Sequence, residues 1–418
     1  MANNLLTKTN IFFLVGLSIS IPASKAGMNA FLYLYVLSSM LMLTQKNIVL
    51  SDTHRRLLKG SVGVFLIGGL LSFFSKGSDN DTLVYLQKYA YLLIPIALVI
   101  TTKHNAKTLR WSVLAFMLSV GVCLLIDIYL FAVVYDFFKN GVVRIWGQIG
   151  YSRWPIVVVT AISIALIVQL NTKLGKRTLA LMFAVIAGLF GLALSGTKGG
   201  IVAVAILGMF YLAIQARKHW LIIPAALALI FIGINTTTYE KTIGHRFSYE
   251  TITTSKSTLE RIAMLKTGMA ITKHNLANDY NYFLFGGGID KPEIPYQAAL
   301  ESLDESTLQH ISYNGKLWGH TDLHNSYFDQ LLKSGLLFSI IFYSLVILMV
   351  VQGYCAVSQS KKFKYLPTMY FGTLSAYVVF NCFYSNFSDY AIYSQIYFLG
   401  LAIALPIALE GDQQTTST

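Results

Sequence analysis

The chain has 418 residues, 55% of them hydrophobic and 12% charged, with a formal net charge of +13. Soluble domains carry about twice that share of charged residues, so the composition excludes an ordinary soluble domain and fits an all-α polytopic membrane protein. The positive balance sits in short loops between apolar runs and reads as membrane topology rather than nucleic-acid binding, because no basic stretch interleaves with base-stacking aromatics.

A membrane-crossing helix needs about 20 apolar residues. Apolar runs predict about twelve spans, near 10–24, 27–43, 60–75, 83–101, 111–134, 154–170, 178–194, 200–215, 220–236, 336–355, 366–384 and 390–409. The first run could be a signal peptide, with Ser24 and Ala26 at small-residue cleavage positions. The span that follows at once favours an uncleaved helix. The fifth run contains Asp127. A carboxylate there costs about 2.5–3.5 kcal/mol on insertion scales, so it should face a cavity or a partner. The three cysteines fall within apolar runs and imply no disulfide framework. The expected organisation is spans 1–9 over residues 1–236, an extramembrane loop over 237–325, spans 10–12 over 326–409, and a polar, disordered tail "EGDQQTTST" over 410–418.

Alternate short loops are basic: Lys46, Arg55, Arg56 and Lys59; Lys103, Lys107 and Arg110; Lys173, Lys176 and Arg177; Arg217 and Lys218; Lys361, Lys362 and Lys364. Such loops stay cytoplasmic, which puts both chain ends in the cytoplasm. The other face receives "SKGSDND" (75–81), "YDFFKNGVVRIWGQIGYSR" (135–153), "SGTKGG" (195–200), the segment 237–325 and "YSNFSDYA" (384–391).

The candidate chemistry lies on that second face. "DND" (Asp79, Asn80, Asp81) resembles a metal-binding D-x-D, a match that short loops also make by chance. Arg144 and Arg153 flank "IWGQIGYS" as interfacial anchors. In "LSGTKGG", Thr197 or Ser195 can cap the next helix, and Lys198 beside exposed N–H groups makes either an anion site or an ordinary interfacial lysine. In "SKSTLERIAMLKTGMAITKHN", Ser257-x-x-Glu260 has the capping-box pattern. Leu259, Ile262, Ala263, Leu265, Met269 and Ile271 supply an amphipathic face. Arg261 falls in the first turn, where it is either solvated or beside an anion. "FLFGGGID" follows, and its Gly286, Gly287 and Gly288 let the backbone approach a ligand closely.

"HTDLHNSYFDQLLKSG" (320–335) then enters the tenth span. Thr321 or Asp322 can cap a helix beginning near Leu323, with His324 in its first turn, where the dipole favours a neutral imidazole. A general base must be neutral; a lone interfacial histidine can equally be only a hydrogen-bonding residue. No H-E-x-x-H or Cys/His cluster supports zinc, and no G-x-S-x-G supports a serine hydrolase.

Taken in order, "LSGTKGG", "STLERIAML", "FLFGGGID" and "HTDLHNSYFDQLLKSG" resemble the O-antigen ligase and O-antigen polymerase superfamily, over about residues 190–350. The length, the single long loop and "LHN" look most like the ligases. The resemblance implies a GT-C-like, membrane-embedded glycosyltransferase in the inner membrane of a Gram-negative bacterium. It would move an O-antigen polysaccharide from undecaprenyl diphosphate to the lipid A–core oligosaccharide on the periplasmic face. It also implies a catalytic base at His324 and a donor-diphosphate clamp of Lys198, Arg261, Arg144 and Arg246. Asp322, Asn325, the three glycines and Asp127 are further candidates. Lys198 departs from the family's usual arginine, which puts bidentate phosphate contact at that point in doubt. Fixed cations can replace a metal, so no metal and no cofactor are expected. The nearest alternatives are a polymerase using the same donor and a protein O-oligosaccharyltransferase. The alternative of another class is a transporter or flippase of anionic lipids, which should carry its polar groups near the midplane in paired repeats.

Overall fold

The computed structural model describes residues 2–44, 48–134, 147–150, 152–171, 176–215, 256–290, 297–313, 316–317, 323–360 and 363–416. The expected span at 220–236 lies outside them, as do Arg144, Arg246 and Asp322.

Eleven of the expected spans coincide with helices. These are α1 (Ala2–Ala23), α2 (Lys25–Leu43), α3 (Asp52–Ser72), α4 (Asp81–Tyr89) with α5 (Ile94–His104), α6 (Lys107–Tyr129), α7 (Trp154–Leu170), α8 (Lys176–Ser195) and α9 (Lys198–Gln215). After the extramembrane segment come α14 (Ser326–Gln359), α15 (Leu366–Asn381) and α16 (Ile392–Thr416). Among the described residues, six helices are long and apolar enough to cross a membrane: Leu5–Ala23, Lys25–Leu43, Asp81–His104, Lys107–Val134, Ser326–Gln359 and Ile392–Glu410. The chain is a multi-pass helical membrane protein. Its polar tail is helical to Thr416 rather than disordered.

Local chemistry explains the edges. Ser51 caps α3 by accepting from the His54 N–H, which starts that helix well before the apolar run. Pro95 breaks the third long span: it lacks an N–H and crowds the preceding turn, and Ala90–Leu93 tightens into a 3-10 turn between α4 and α5.

Polar side chains join the helices inside the bundle. Asn10 of α1 donates to Ser38 and Ser39 of α2, both at 2.8 Å, and accepts from Thr101 of α5 at 2.7 Å. Ser112 of α6 and Tyr397 of α16 lie 2.6 Å apart. Such bonds hold helices together where lipid removes the hydrophobic driving force between them.

The extramembrane segment comprises α10 (Lys256–Asn278), α11 (Tyr280–Phe285), α12 (Gln297–Leu300) and α13 (Glu305–Ile311). A short hairpin, β1 (Ser312–Tyr313) with β2 (Lys316–Leu317), is the described exception to an all-helical chain. This segment has its own small core of Ala263, Met264, Ile271, Ala299, Leu300, Ile311, Leu323 and Leu332. Helix α10 starts at Lys256, so Ser257 lies inside it instead of capping it, and Arg261 falls in the second turn. Its buried face is Ala263, Met264, Thr267 and Ile271, whereas Ile262, Leu265 and Met269 are exposed. The expected amphipathic face is therefore split.

The loops that the basic-residue pattern groups together meet in space. On one face, hereafter the site face, the Lys76 N–H donates to the Gly286 carbonyl at 3.2 Å, Ser78 donates to Asp290 at 2.7 Å, and Arg153 pairs with Asp389 at 2.8 Å. On the opposite face, Lys103 donates to the Val49 carbonyl at 2.8 Å and Gln352 to the Thr53 carbonyl at 3.3 Å.

Candidate active site

The "HNSYFDQLLKSG" stretch folds differently from its sequence expectation. Asn325, not Thr321 or Asp322, caps α14: its side-chain oxygen accepts from the Tyr327 and Phe328 N–H groups at 3.1 and 3.2 Å. His324 is consequently not in the first turn. It precedes the cap with φ +49°, a left-handed conformation that histidine adopts more readily than most residues. Asp329, one turn into the helix, reaches back to the Leu323 N–H at 2.8 Å. His324 thus sits between two tethered neighbours, with Leu323 buried and Asn325 bonded on both sides. The Asn325 amide also donates to the Cys382 carbonyl at 3.4 Å.

The first part of α14 is a short helix of its own, since Gly335 breaks it at φ +75° and ψ 171°. The carbonyls left at that break are taken by the glycine loop. The Gly287 N–H donates to the Leu332 carbonyl at 2.8 Å, and the Gly288 N–H to the Lys333 carbonyl at 3.0 Å. A Cβ on Gly286 would collide with the Lys333 carbonyl, and one on Gly335 with the Leu284 carbonyl. The glycine triplet therefore approaches a helix C-terminus and serves as its cap. The loop is fixed in turn by Asp81, which accepts from the Ile289 and Asp290 N–H groups at 3.2 and 2.9 Å and from Ser75. The "DND" carboxylate nearest the bundle is thus occupied by backbone amides, and Asp79 is exposed.

Arg261, His324 and the turn that carries Lys198 converge on a pair of aromatics that sequence reasoning did not single out. The Arg261 guanidinium lies 5.5 Å from the Phe383 ring centre and 5.4 Å from that of Tyr384. The His324 ring stands edge-on to Tyr384, with centroids 6.5 Å apart at 72°. The turn bearing Lys198 presses on the same pair: a Cβ on Gly199 would come within 2.8 Å of Tyr384 Cε2 and 3.2 Å of Phe383 Cβ. Gly196 in this turn has φ +60°, and the Ser195 and Thr197 hydroxyls bond each other at 2.8 Å. Lys198, Arg261 and His324 are each half-buried.

Tyr384 is itself held. Its ring stacks on Phe380 at 4.6 Å, and its carbonyl accepts from Ser326 Oγ. That hydroxyl accepts from the Asn386 N–H at 2.8 Å, and the Asn386 amide donates to Asn381, which exchanges two 3.0 Å bonds with Gln395. A guanidinium over an aromatic face is stabilised by about 0.5–2 kcal/mol and keeps its in-plane N–H groups for an anion.

Asp127 does not join this cluster. It is buried in α6, and neither carboxylate oxygen has a hydrogen-bond partner among the described residues. The described residues contain no group of three or more His, Cys, Asp or Glu that could hold a metal ion.

The fold and this cluster define a class: a multi-pass helical membrane protein with a histidine and an arginine gathered against two aromatics at one end of its bundle, beside the turn that carries Lys198. Residues 183–343 match the model of the family described as O-antigen ligase. The match contains Lys198, Arg261, the glycine loop and His324; Phe383 and Tyr384 lie beyond it. No curated protein matches the chain.

Proposed function

We propose that the protein is an O-antigen ligase of the Gram-negative inner membrane, with both ends in the cytoplasm and the site face in the periplasm. On this reading it transfers an undecaprenyl-diphosphate-linked O-antigen polysaccharide to a hydroxyl of the lipid A–core oligosaccharide. The observation that carries the proposal is the convergence of Arg261, His324 and the turn bearing Lys198 on Phe383 and Tyr384, inside and beside the family match. The proposed organisation is spans 1–9, a periplasmic loop over 237–325, then spans 10–12.

The chemistry follows from the donor. Its diphosphate is already a leaving group, so the protein must supply a base and stabilise developing negative charge. His324 takes the proton from the acceptor hydroxyl as that oxygen attacks the anomeric carbon. The bond from that carbon to the diphosphate oxygen breaks, and Arg261 and Lys198 bind the departing diphosphate. Arg144 and Arg246 complete the proposed clamp. A single displacement inverts the anomeric centre. These cations absorb the charge without a metal ion. The donor's lipid never leaves the bilayer, which explains a site at the mouth of the bundle instead of its midplane and disfavours a transport pathway.

Purified protein given lipid-linked O-antigen with either lipid A–core or a second lipid-linked glycan tests the assignment. Product on lipid A–core alone supports the ligase. Elongation of the lipid-linked glycan instead makes the protein a polymerase.

A further inference from the structure

His324 is the one non-glycine residue with a positive φ among the described residues. A left-handed backbone is costly for a residue with a Cβ, and it persists only where the surroundings hold it. Two hydrogen bonds hold it here, one on each side of His324, and both involve Asp329. The Leu323 N–H donates to Asp329 Oδ1 at 2.8 Å, and the Asp329 N–H donates to the Asn325 carbonyl at 3.0 Å. The second is an ordinary helical bond, which any residue but proline would make at 329. The first needs a side-chain acceptor at that position. Without it, the bond that ties the chain before His324 back to α14 is lost.

The acceptor is a buried carboxylate with a counter-charge built into the same helix. Asp329 and Lys333, one turn on, are both more than nine-tenths buried. Lys333 Nζ lies 3.8 Å from Asp329 Oδ2, so Oδ1 takes the Leu323 N–H while Oδ2 faces the ammonium. At that distance the lysine balances charge without making a directed hydrogen bond. A buried carboxylate that lost this partner would be strongly penalised. The positive end of α14 favours the same negative charge. The surroundings of the pair are fixed as well: the Lys333 carbonyl accepts from the Gly288 N–H at 3.0 Å, and Tyr89 donates to Gln330 at 2.7 Å. Well-packed apolar residues often stabilise a buried position as well as an ion pair does. The use of this pair therefore lies in what Oδ1 holds.

A base works only from the right place. It must come within hydrogen-bond reach of the proton it takes, and a misplacement of about 1 Å can cost about a hundredfold in rate. We infer that Asp329 is a positioning residue for His324: its carboxylate, balanced by Lys333, holds the backbone of residues 323–325 so that the imidazole stands against Tyr384. Asp329 acts on the reaction only through this stretch of main chain. The inference rests on the ligase reading.

The test uses full-length purified protein and two uncharged pairs, so that no buried charge is left alone. Asp329→Asn/Lys333→Met keeps an acceptor oxygen for the Leu323 N–H, and Asp329→Leu/Lys333→Met removes it. With lipid-linked O-antigen and lipid A–core, the leucine pair should lose about a hundredfold in kcat, with donor and acceptor KM unchanged. The asparagine pair should keep most of the wild-type kcat. A second measurement needs no turnover. Glycine is at ease at φ +49° and alanine is not, so His324→Gly should unfold at a higher temperature than His324→Ala as long as position 324 is held left-handed. That gap should persist when both are combined with the asparagine pair. It should vanish with the leucine pair, where the backbone is free to relax. This second measurement stands even if the ligase reading fails. Equal kcat for the two pairs would overturn the proposal. So would a loss carried by KM, which would make Asp329 a binding residue, or a glycine–alanine gap that survives the leucine pair.

Discussion

Gly199 and Tyr384 are in contact so close that no side chain fits between them: a Cβ on Gly199 would lie 2.8 Å from Tyr384 Cε2. This one contact joins the Lys198 turn to the ring that also meets Arg261 and His324. Gly199→Ala should push that ring aside and lower transfer at least tenfold at normal protein levels. In a double-mutant cycle, adding Gly199→Ala to Tyr384→Ala should cost little more, because the clash is gone. Additive losses would separate the turn from the aromatic pair.

The Arg261 platform makes a graded prediction. Tyr384→Leu and Phe383→Leu remove a cation–π contact worth about 0.5–2 kcal/mol, so each should weaken transfer by roughly twofold to thirtyfold. Arg261→Gln should be far worse, and Arg261→Lys intermediate, because lysine keeps charge but not the planar fork. Initial rates at subsaturating donor give the comparison.

Lys198 should act through its charge. Lys198→Arg should retain substantial transfer, since arginine also binds phosphate, and Lys198→Gln should be severely impaired with the protein still in the membrane. Equal rates for wild type and Lys198→Gln would leave Lys198 as an interfacial anchor.

Asp81 should matter for stability. Asp81→Ala leaves the Ile289 and Asp290 N–H groups without their acceptor, at about 1–3 kcal/mol for each group that stays buried and unpaired. Thermal unfolding in detergent should fall clearly for Asp81→Ala and not at all for exposed Asp79→Asn. Gly335→Ala should also unfold earlier, since a left-handed non-glycine residue alone costs of order 1–3 kcal/mol and its Cβ meets the Leu284 carbonyl.

The apolar helices were legible in the sequence because membrane helices advertise themselves by length and hydropathy, which need no tertiary information; six of those described are long and apolar enough to cross a membrane. The grouping of loops was legible for the same reason, through the placement of lysine and arginine. What escaped were choices that depend on neighbours. Thr321, Asp322 and Asn325 all suit an N-cap by type, and only the Cys382 carbonyl and the buried Leu323 on either side favour Asn325. The glycine triplet signalled close approach, but not that its partner is a helix end of its own chain. Phe383 and Tyr384 carry no pattern at all: two aromatics near a short loop are common in a chain that is 13% aromatic. The small polar residues around them, Ser326, Asn381, Asn386 and Gln395, were the available hint, since polar groups in an apolar bundle are there to hold something.

The central claim is that His324, held just outside the helix cap and beside Tyr384, takes the acceptor proton. The most direct measurement is transfer from lipid-linked O-antigen to lipid A–core by purified wild-type and His324→Ala proteins, in EDTA, with unfolding temperatures recorded on the same preparations. The account predicts full wild-type transfer with inversion at the anomeric carbon, and no product from a His324→Ala protein that unfolds at the wild-type temperature. Transfer by His324→Ala at the wild-type rate would contradict it.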